Sequence, residues 1–377
     1  MREMNIPCRR LLNQRIARDR FAKPEDVVRH LGAMQAQDYH QAVWAIASRT
    51  RGATLADVER AIEERRIVLS WPLRGTIHAV PPEELRTLLK LSASRKLSQQ
   101  KRRLEQLGLT EEIVDRCGRL IEDELRGGGR MTREALMQLY EANGIRTEKE
   151  RGYQIIWRLA QSGRICMGPR EGKRQTFVLA DEWLPADPGG VWDRGEELAR
   201  LALRYYAGHG PASVRDLAWW AGLTLADARE ATEAAAHGLT RLQAGDQELW
   251  EAADRSVDAG TSSVRPSSGR GLKASVHLLA GFDEYLLGYE DRSAVLPDAV
   301  APSVAPGNNG MFMPMVVIGG RIAGVWKRTI KTKRFDVEFR LSVPSAQWEE
   351  ALNREAERYG AFIGLPLGDA AFRPLEE

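Results

Sequence analysis

The sequence predicts an α+β protein: tandem winged-helix (helix-turn-helix) units followed by a small C-terminal antiparallel β-barrel. Three observations predict this. Helical periodicity dominates residues 1–250, period-two alternation broken by Gly turns dominates 272–345, and an order of helices then a hairpin recurs three times in the helical part. A chain of 377 residues exceeds one ordinary domain. The boundaries fall at 1–108, 109–190 and 191–254 for three winged-helix-like units, 272–345 for the barrel, and 346–377 for a C-terminal helix and tail.

In the first unit, helices are predicted near 7–18, 24–34, 39–49 and 54–65, then a strand pair around LSWPLRGTIHAV. The second unit is the clearest. Thr110 caps a helix to about Arg126, Thr132 starts a second that Asn143-Gly144 stops, and Thr147 with Glu150 reads as a T-x-x-E capping box opening a third over 148–162. A hairpin with a charged tip at 169–174 follows. The third unit repeats the order, with Ser213 and Asp216 as an S-x-x-D box, a helix near 225–236 and the hairpin LTRLQAGDQELWEA. Residues 255–272, rich in Ser, Gly and Pro, read as a flexible connection. Beyond it, Gly319-Gly320 between two apolar runs is a tight hairpin turn. Phe335, Val337, Phe339 and Leu341 alternate inward against Asp336, Glu338 and Arg340, which suits a small barrel or a curled sheet.

Composition bounds the function. With 43% hydrophobic and 28% charged residues and a mean hydropathy of −0.40, the chain is neither disordered nor fibrous. No apolar run reaches the roughly 18 residues a membrane span needs, and MREMNIPCRRLLNQRIARDR has no apolar core of a secretory signal, so no membrane partner and a cytoplasmic location are expected. Cys8, Cys117 and Cys166 lie far apart without CxxC or nearby His, which argues against a disulfide scaffold or zinc site; neither metal nor cofactor is expected. Walker A, GxGxxG, HExxH and GxSxG patterns are absent, which removes most support for nucleotide hydrolysis, redox and esterase chemistry. A net charge of +3 permits a nucleic-acid partner without requiring one. No coiled-coil heptads suggest a dimer, so a monomer is expected.

Three constellations could carry chemistry. Gln35-Ala36-Gln37 follows a helix that Gly32 weakens, and Asp38 with Gln41 forms a D-x-x-Q box that leaves the pair in the entering loop. Residues i and i+2 lie about 200° apart on a helix, so two amides converge only from an extended or irregular backbone. There they can grip a water or a base edge; read from composition alone, they are surface polars flanking a cap. His78 shares a strand face with Thr76 and Val80 and could reach the Gln loop, or else face solvent beside a carboxylate. GFDEYLLGYEDRSAVL clusters Asp283, Glu284, Tyr285, Tyr289, Glu290, Asp291 and Arg292, which can shift one another's pKa values or simply pair. The third helix of the middle unit carries Lys149, Arg151, Gln154, Arg158 and Gln161, whereas its counterpart carries Asp227, Glu230 and Glu233, which repel phosphates. Of the basic stretches, 95–103 reads as a solvated helix face. Lys327, Arg328, Lys331, Lys333 and Arg334 are expected at a hairpin tip suited to a groove.

Taken together, QAQD, WPLRGTIHAV, LLAGFDEYLLGYEDRS and NNGMFMPMVVIGGRIAGVWKR resemble the winged-helix DNA glycosylase family of the AlkZ and YcaQ type, over about residues 7–345. The resemblance implies double-stranded DNA containing alkylated bases as partner and hydrolysis of the N-glycosidic bond of alkylated purines such as N7-alkylguanine or N3-alkyladenine, including interstrand crosslinks in some members. It implies a monofunctional DNA glycosylase in base excision repair, cytoplasmic and nucleoid-associated. Gln35 and Gln37 match the family's catalytic Gln-x-Gln. Asp38, His78, Asp283 and Asp291 are candidates to assist, and Arg74, Arg151, Gln154, Arg158, Lys173, Arg174 and the five residues of the 327–334 hairpin are candidates to bind DNA. The alternative is a non-catalytic winged-helix DNA-binding protein or transcriptional regulator, whose Gln pair reads a base edge.

Overall fold

The structure, a computed structural model, describes residues 5–187, 189, 191–253, 272–308 and 310–375; the expected connection at 255–272 lies outside them except for its last residue. Packing divides the chain into two units, Met1–Val58 with Leu198–Glu377, and Glu59–Glu197. This division cuts across the boundaries expected from sequence.

The first unit begins with α1 (Ile6–Asn13), capped by the Asn5 side chain, and α2 (Pro24–Leu31), with Pro at its first turn. Gly32, at φ 80°, ends α2 earlier than expected and lets the next residues extend as β1 (Met34–Gln35). Asp38 then caps α3 (Tyr39–Ala47) by accepting the Gln41 N–H at 3.2 Å. The reciprocal half of that box does not form, because the Gln41 side chain instead accepts the Gly281 N–H at 2.9 Å. α4 (Leu55–Glu63) follows, its start fixed by Thr54 and Asp57.

The second unit holds β2 (Val68–Leu73), β3 (Thr76–Val80), the long α5 (Leu85–Gln106), α6 (Glu111–Leu125), β4 (Met131–Thr132), α7 (Arg133–Ala142), α8 (Arg151–Gln161), β5 (Ile165–Glu171), β6 (Arg174–Leu179) and a single turn, α9 (Ala180–Trp183). Its strands run β3-β2-β5-β6-β4, with neighbours antiparallel. Here lies the reason for the shifted boundary: β2, expected to close the first unit, pairs with β5 at Leu69 and Met167. Trp71 stacks parallel to Phe177 across this sheet. Thr110 and Thr132 cap α6 and α7 as expected. The Thr147–Glu150 box does not form: Lys149 takes a left-handed φ of 59°, Thr147 hydrogen-bonds Glu141, and α8 starts at Arg151 without a side-chain cap.

The chain then returns to the first unit through α10 (Arg194–His209), α11 (Val214–Ala221), whose Ser213–Asp216 capping box is complete, α12 (Leu225–Ala234), and the hairpin of β7 (Leu239–Ala244) and β8 (Gln247–Ala252). The remaining elements are β9 (Val276–Leu279), the short turns α13 (Glu284–Leu287) and α14 (Ala301–Val304), β10 (Met315–Ile318), β11 (Arg321–Ile330), β12 (Phe335–Leu341), α15 (Glu349–Ile363) and β13 (Leu367–Pro374). Gly319 and Gly320, both at positive φ, make the tight β10–β11 turn the sequence announced.

The expected antiparallel barrel is corrected here. Among the described residues the five strands form an open sheet, ordered β13-β12-β11-β10-β9, and β13 pairs parallel to β12. The expected tail is therefore a helix plus a strand, because a parallel neighbour needs a crossover and α15 supplies it. α15 packs against both edge strands, so the sheet curls around the helix instead of closing on itself. Tyr359 of α15 sits edge-on to Trp326, Phe335 and Trp44. On the other side of β10, Leu11, Ile16, Leu279, Leu286, Met315 and Ile322 share a buried cluster.

Candidate active site

The Gln motif is built by termination of α2. Ala33, Met34 and Ala36 are buried, Gln35 is half-buried and Gln37 is exposed, so the extended backbone turns the two amides outward on either side of a buried methyl. Asp38 fixes the far end as the α3 cap and is itself exposed. At the near end, the Gln35 main-chain N–H donates to Glu284 Oε1 at 2.8 Å.

Glu284 is the residue that sequence reasoning placed in a cluster but did not single out. Only 1% exposed, it receives the Trp220 indole N–H on Oε2 at 2.9 Å, and the His209 ring Nε2 lies 3.2 Å from the same oxygen. The surrounding groups are tied in turn. Tyr289 donates to the His209 carbonyl at 2.7 Å, Tyr205 donates to the Gly288 carbonyl at 2.8 Å, and Gln14 donates to the Tyr289 hydroxyl at 3.1 Å. A Cβ on Gly288 would stand 2.6 Å from the His209 ring, which explains glycine there. Phe282 turns the chain into this network at a left-handed φ of 61°, a conformation that costs about 1 kcal/mol or more for such a residue.

Of the acids expected to assist, Asp283 is fully buried in a bidentate pair with Arg49 and also caps α13 by accepting the Tyr285 N–H at 2.8 Å. Asp291 lies elsewhere in the unit, in a cavity of about 600 Å³ whose lining also includes Arg10, Asp216, Gln247 and Glu290 but neither motif glutamine. Hydrogen bonds from the Ser293 side chain and amide, then from Gln247, hold its carboxyl below the ordinary range. In the second unit His78 is fully buried, not solvent-facing; its Nδ1 lies 2.8 Å from the Thr76 carbonyl and Arg74 reaches its Nε2 at 3.3 Å. Burial pushes the Cys117 and Cys166 thiols up to about 11 and about 12, so neither is a thiolate at neutral pH.

The expected DNA-contacting residues sort unevenly. Arg151 and Gln154 are buried, because α8 packs against α5, α6, β2 and β5; Arg151 spends its guanidinium on the Arg146 and Leu107 carbonyls. Arg158 pairs with Glu111, its side chain only 12% exposed. By contrast Lys173 and Arg174 are exposed at the β5–β6 tip, Arg174 lying 3.6 Å from Glu171. The β11–β12 hairpin does not present its five cations together. Arg328 lies over the Tyr359 ring at 5.4 Å, Lys331 pairs with Asp336, and Arg334 bonds Asp369 of β13 at 2.9 Å, whereas Lys327 and Lys333 stand exposed.

Among the described residues no cluster of His, Cys, Asp or Glu is placed to hold a metal, and no helix is long and apolar enough to cross a membrane. The arrangement offers two neutral amides flanking buried Ala36, with the main chain at Gln35 tied to Glu284, suited to orienting a small polar molecule.

Comparison with known proteins supplies the context. The family model described as "DNA glycosylase AlkZ-like" matches residues 28–362. The "Interstrand DNA cross-link repair glycosylase" of Streptomyces sahachiroi is 26% identical over 313 residues, covering 80% of this chain and 81% of the relative. The solved structure of the Streptomyces sahachiroi DNA glycosylase AlkZ superposes with a TM-score of 0.78 at 23% identity, over 98% of both chains, so the mixed α+β fold is shared. The matched span includes the Gln motif and the 280–292 segment that anchors it, and the chain belongs to the AlkZ-like DNA glycosylase family.

Proposed function

We propose that this glycosylase hydrolyses the N-glycosidic bond of alkylated, cationic purines such as N7-alkylguanine and N3-alkyladenine in duplex DNA, and unhooks interstrand crosslinks made through such purines. The observation that carries this reading is the extended backbone at Gln35, which sets Gln35 and Gln37 one residue apart across buried Ala36. The name of the Streptomyces relative, a cross-link repair glycosylase, supports the crosslink substrate.

Two neutral amides are poor bases, so the chemistry must suit them. An alkylated purine carries positive charge and leaves as a neutral base, taking the electron pair of the C1′–N bond. Water oxygen then bonds C1′ and releases its proton to solvent, giving an abasic sugar without a covalent enzyme intermediate. Gln35 and Gln37 hold that water by accepting its hydrogens and present oriented dipoles to the cationic sugar. The α6–α7–α8 helices with the β5–β6 hairpin act as a winged helix, with Lys173 and Arg174 at the wing tip contacting phosphates. Lys327 and Lys333 do so from the β11–β12 hairpin. The protein acts as a monomer and as a hydrolase only.

The test is release of free N7-methylguanine and N3-methyladenine from methylated duplex DNA by wild type, Gln35→Ala, Gln37→Ala and the double variant. Wild-type release lost in the double variant supports the reading. Undiminished release in every variant sinks the role of the pair, and binding to plain duplex without any release favours a non-catalytic binder.

A further inference from the structure

Resting on the reading of Gln35 and Gln37 as the water-holding pair, we propose that Glu284 is the positioning residue of the motif: its buried carboxylate fixes the main chain at Gln35 by a charge-assisted hydrogen bond. Three observations lead there. First, β1 follows the break at Gly32 and lasts two residues, so no helix of its own sets where the Gln35 Cα lies. The 2.8 Å bond from its N–H to Oε1 ties the main chain there, and bonds to a charged acceptor are about twice as strong as neutral ones.

Second, the carboxylate is aimed. Oε2 is held by the Trp220 indole at 2.9 Å and faced by His209 at 3.2 Å, both fully buried, and the Glu284 carbonyl accepts from Gln14 at 3.3 Å. With Oε2 and the backbone tethered, Oε1 meets the Gln35 amide. Third, a carboxylate 1% exposed is costly where shape alone is needed. An apolar side chain of similar volume often supports a core equally well or better, so a stability role alone does not account for a buried acid. A displacement of the reacting geometry by about 1 Å can cost on the order of 100-fold in rate, which gives a rigid anchor its use.

The experiment uses the full chain. Single-turnover base release from methylated duplex DNA and the Kd for undamaged duplex are measured for Glu284→Gln, Gln35→Ala and their combination. Glu284→Gln is expected to slow release about 10- to 100-fold, the range for losing a hydrogen bond to a charged group, while Kd changes less than about twofold. In the Gln35→Ala background the same change is expected to slow release less than about threefold, because the anchor then has no glutamine to place. A purely structural role would instead multiply the two losses and weaken binding alike. Wild-type release by Glu284→Gln overturns the proposal, as does equal slowing in both backgrounds. Should Glu284→Gln fail to unfold cooperatively, Glu284→Asp decides: it keeps the charge and withdraws the oxygen by one methylene. Slowing with the same non-additivity supports the proposal, and wild-type release overturns it. Gln35→Ala at the wild-type rate overturns the reading of the motif together with the route through it; a slow Gln35→Ala with multiplicative losses overturns only the role of Glu284.

Discussion

Arg49 and Asp283 form a bidentate ion pair with both side chains fully buried, Nη1 lying 3.0 Å from Oδ2 and Nη2 2.8 Å from Oδ1. The rest of the guanidinium is also used: Nε donates to the Gln14 carbonyl at 3.1 Å, Nη2 to Gln14 Oε1 at 2.7 Å and Nη1 to the Ala45 carbonyl at 3.0 Å. Breaking such a pair from one side strands a charge. Asp283→Asn is expected to lower stability by about 3–5 kcal/mol, read as a lower urea midpoint. Base release per folded molecule is expected to change far less than the folded fraction. A fall in release at unchanged stability would place Asp283 in the chemistry instead.

Gln37 offers the cleanest separation of function from folding, because its side chain is exposed. Gln37→Ala is expected to leave the unfolding free energy within about 0.5 kcal/mol of wild type while base release falls. Parallel thermal melts and release assays check this.

Salt dependence distinguishes cations that meet phosphates from those the fold consumes. Lys173→Ala and Lys333→Ala are each expected to reduce the slope of log K against log salt by about 0.9, the loss of one phosphate contact, as measured by fluorescence anisotropy. Arg158→Ala, which removes a partner of Glu111, is expected to leave that slope unchanged.

His277, on β9, has both ring nitrogens without hydrogen-bond partners among the described residues, and burial, aided by Arg20, Arg358 and Arg49, pushes its pKa down to about 3. Burial likewise takes His30 down to about 4. In the unfolded chain both bind a proton near pH 6.5. The unfolded state therefore binds more protons between those values, and stability is full above about pH 6.5 and lost as pH falls toward 4. Urea midpoints from pH 7 to 4 should decline, and His277→Leu should flatten that decline. A slope identical to wild type would contradict the assignment.

Much of this organisation is legible in local residues. Gly32, the caps at Thr110 and Thr132, the Ser213–Asp216 box and Gly319-Gly320 each act on their own neighbours, so their effects can be read from a few letters. Where reading failed, a competitor lay farther off. The Thr147 box yielded to Glu141 and to the left-handed Lys149, and the polar letters of α8 turned inward because four elements cover that helix. The open curl of the C-terminal sheet depends on a parallel strand that only its crossover reveals. The motif glutamines are visible as a spacing. Their anchor is not, since Gln35 and Glu284 are 249 residues apart and no local rule joins them.

That separation also bears on how the protein is made. The unit carrying Gln35 is assembled from both ends of the chain, whereas Glu59–Glu197 is continuous. At about 5–20 residues per second of synthesis, the 249 residues between motif and anchor take roughly 10–50 s to emerge from the ribosome. During that interval the nascent glutamines have neither the Glu284 carboxylate nor the Asp283 partner of Arg49, while the continuous unit already has every strand of its own sheet. On the role proposed for Glu284, the anchoring of the motif is thus a late event in the synthesis of each molecule, possible only once residue 284 has been added.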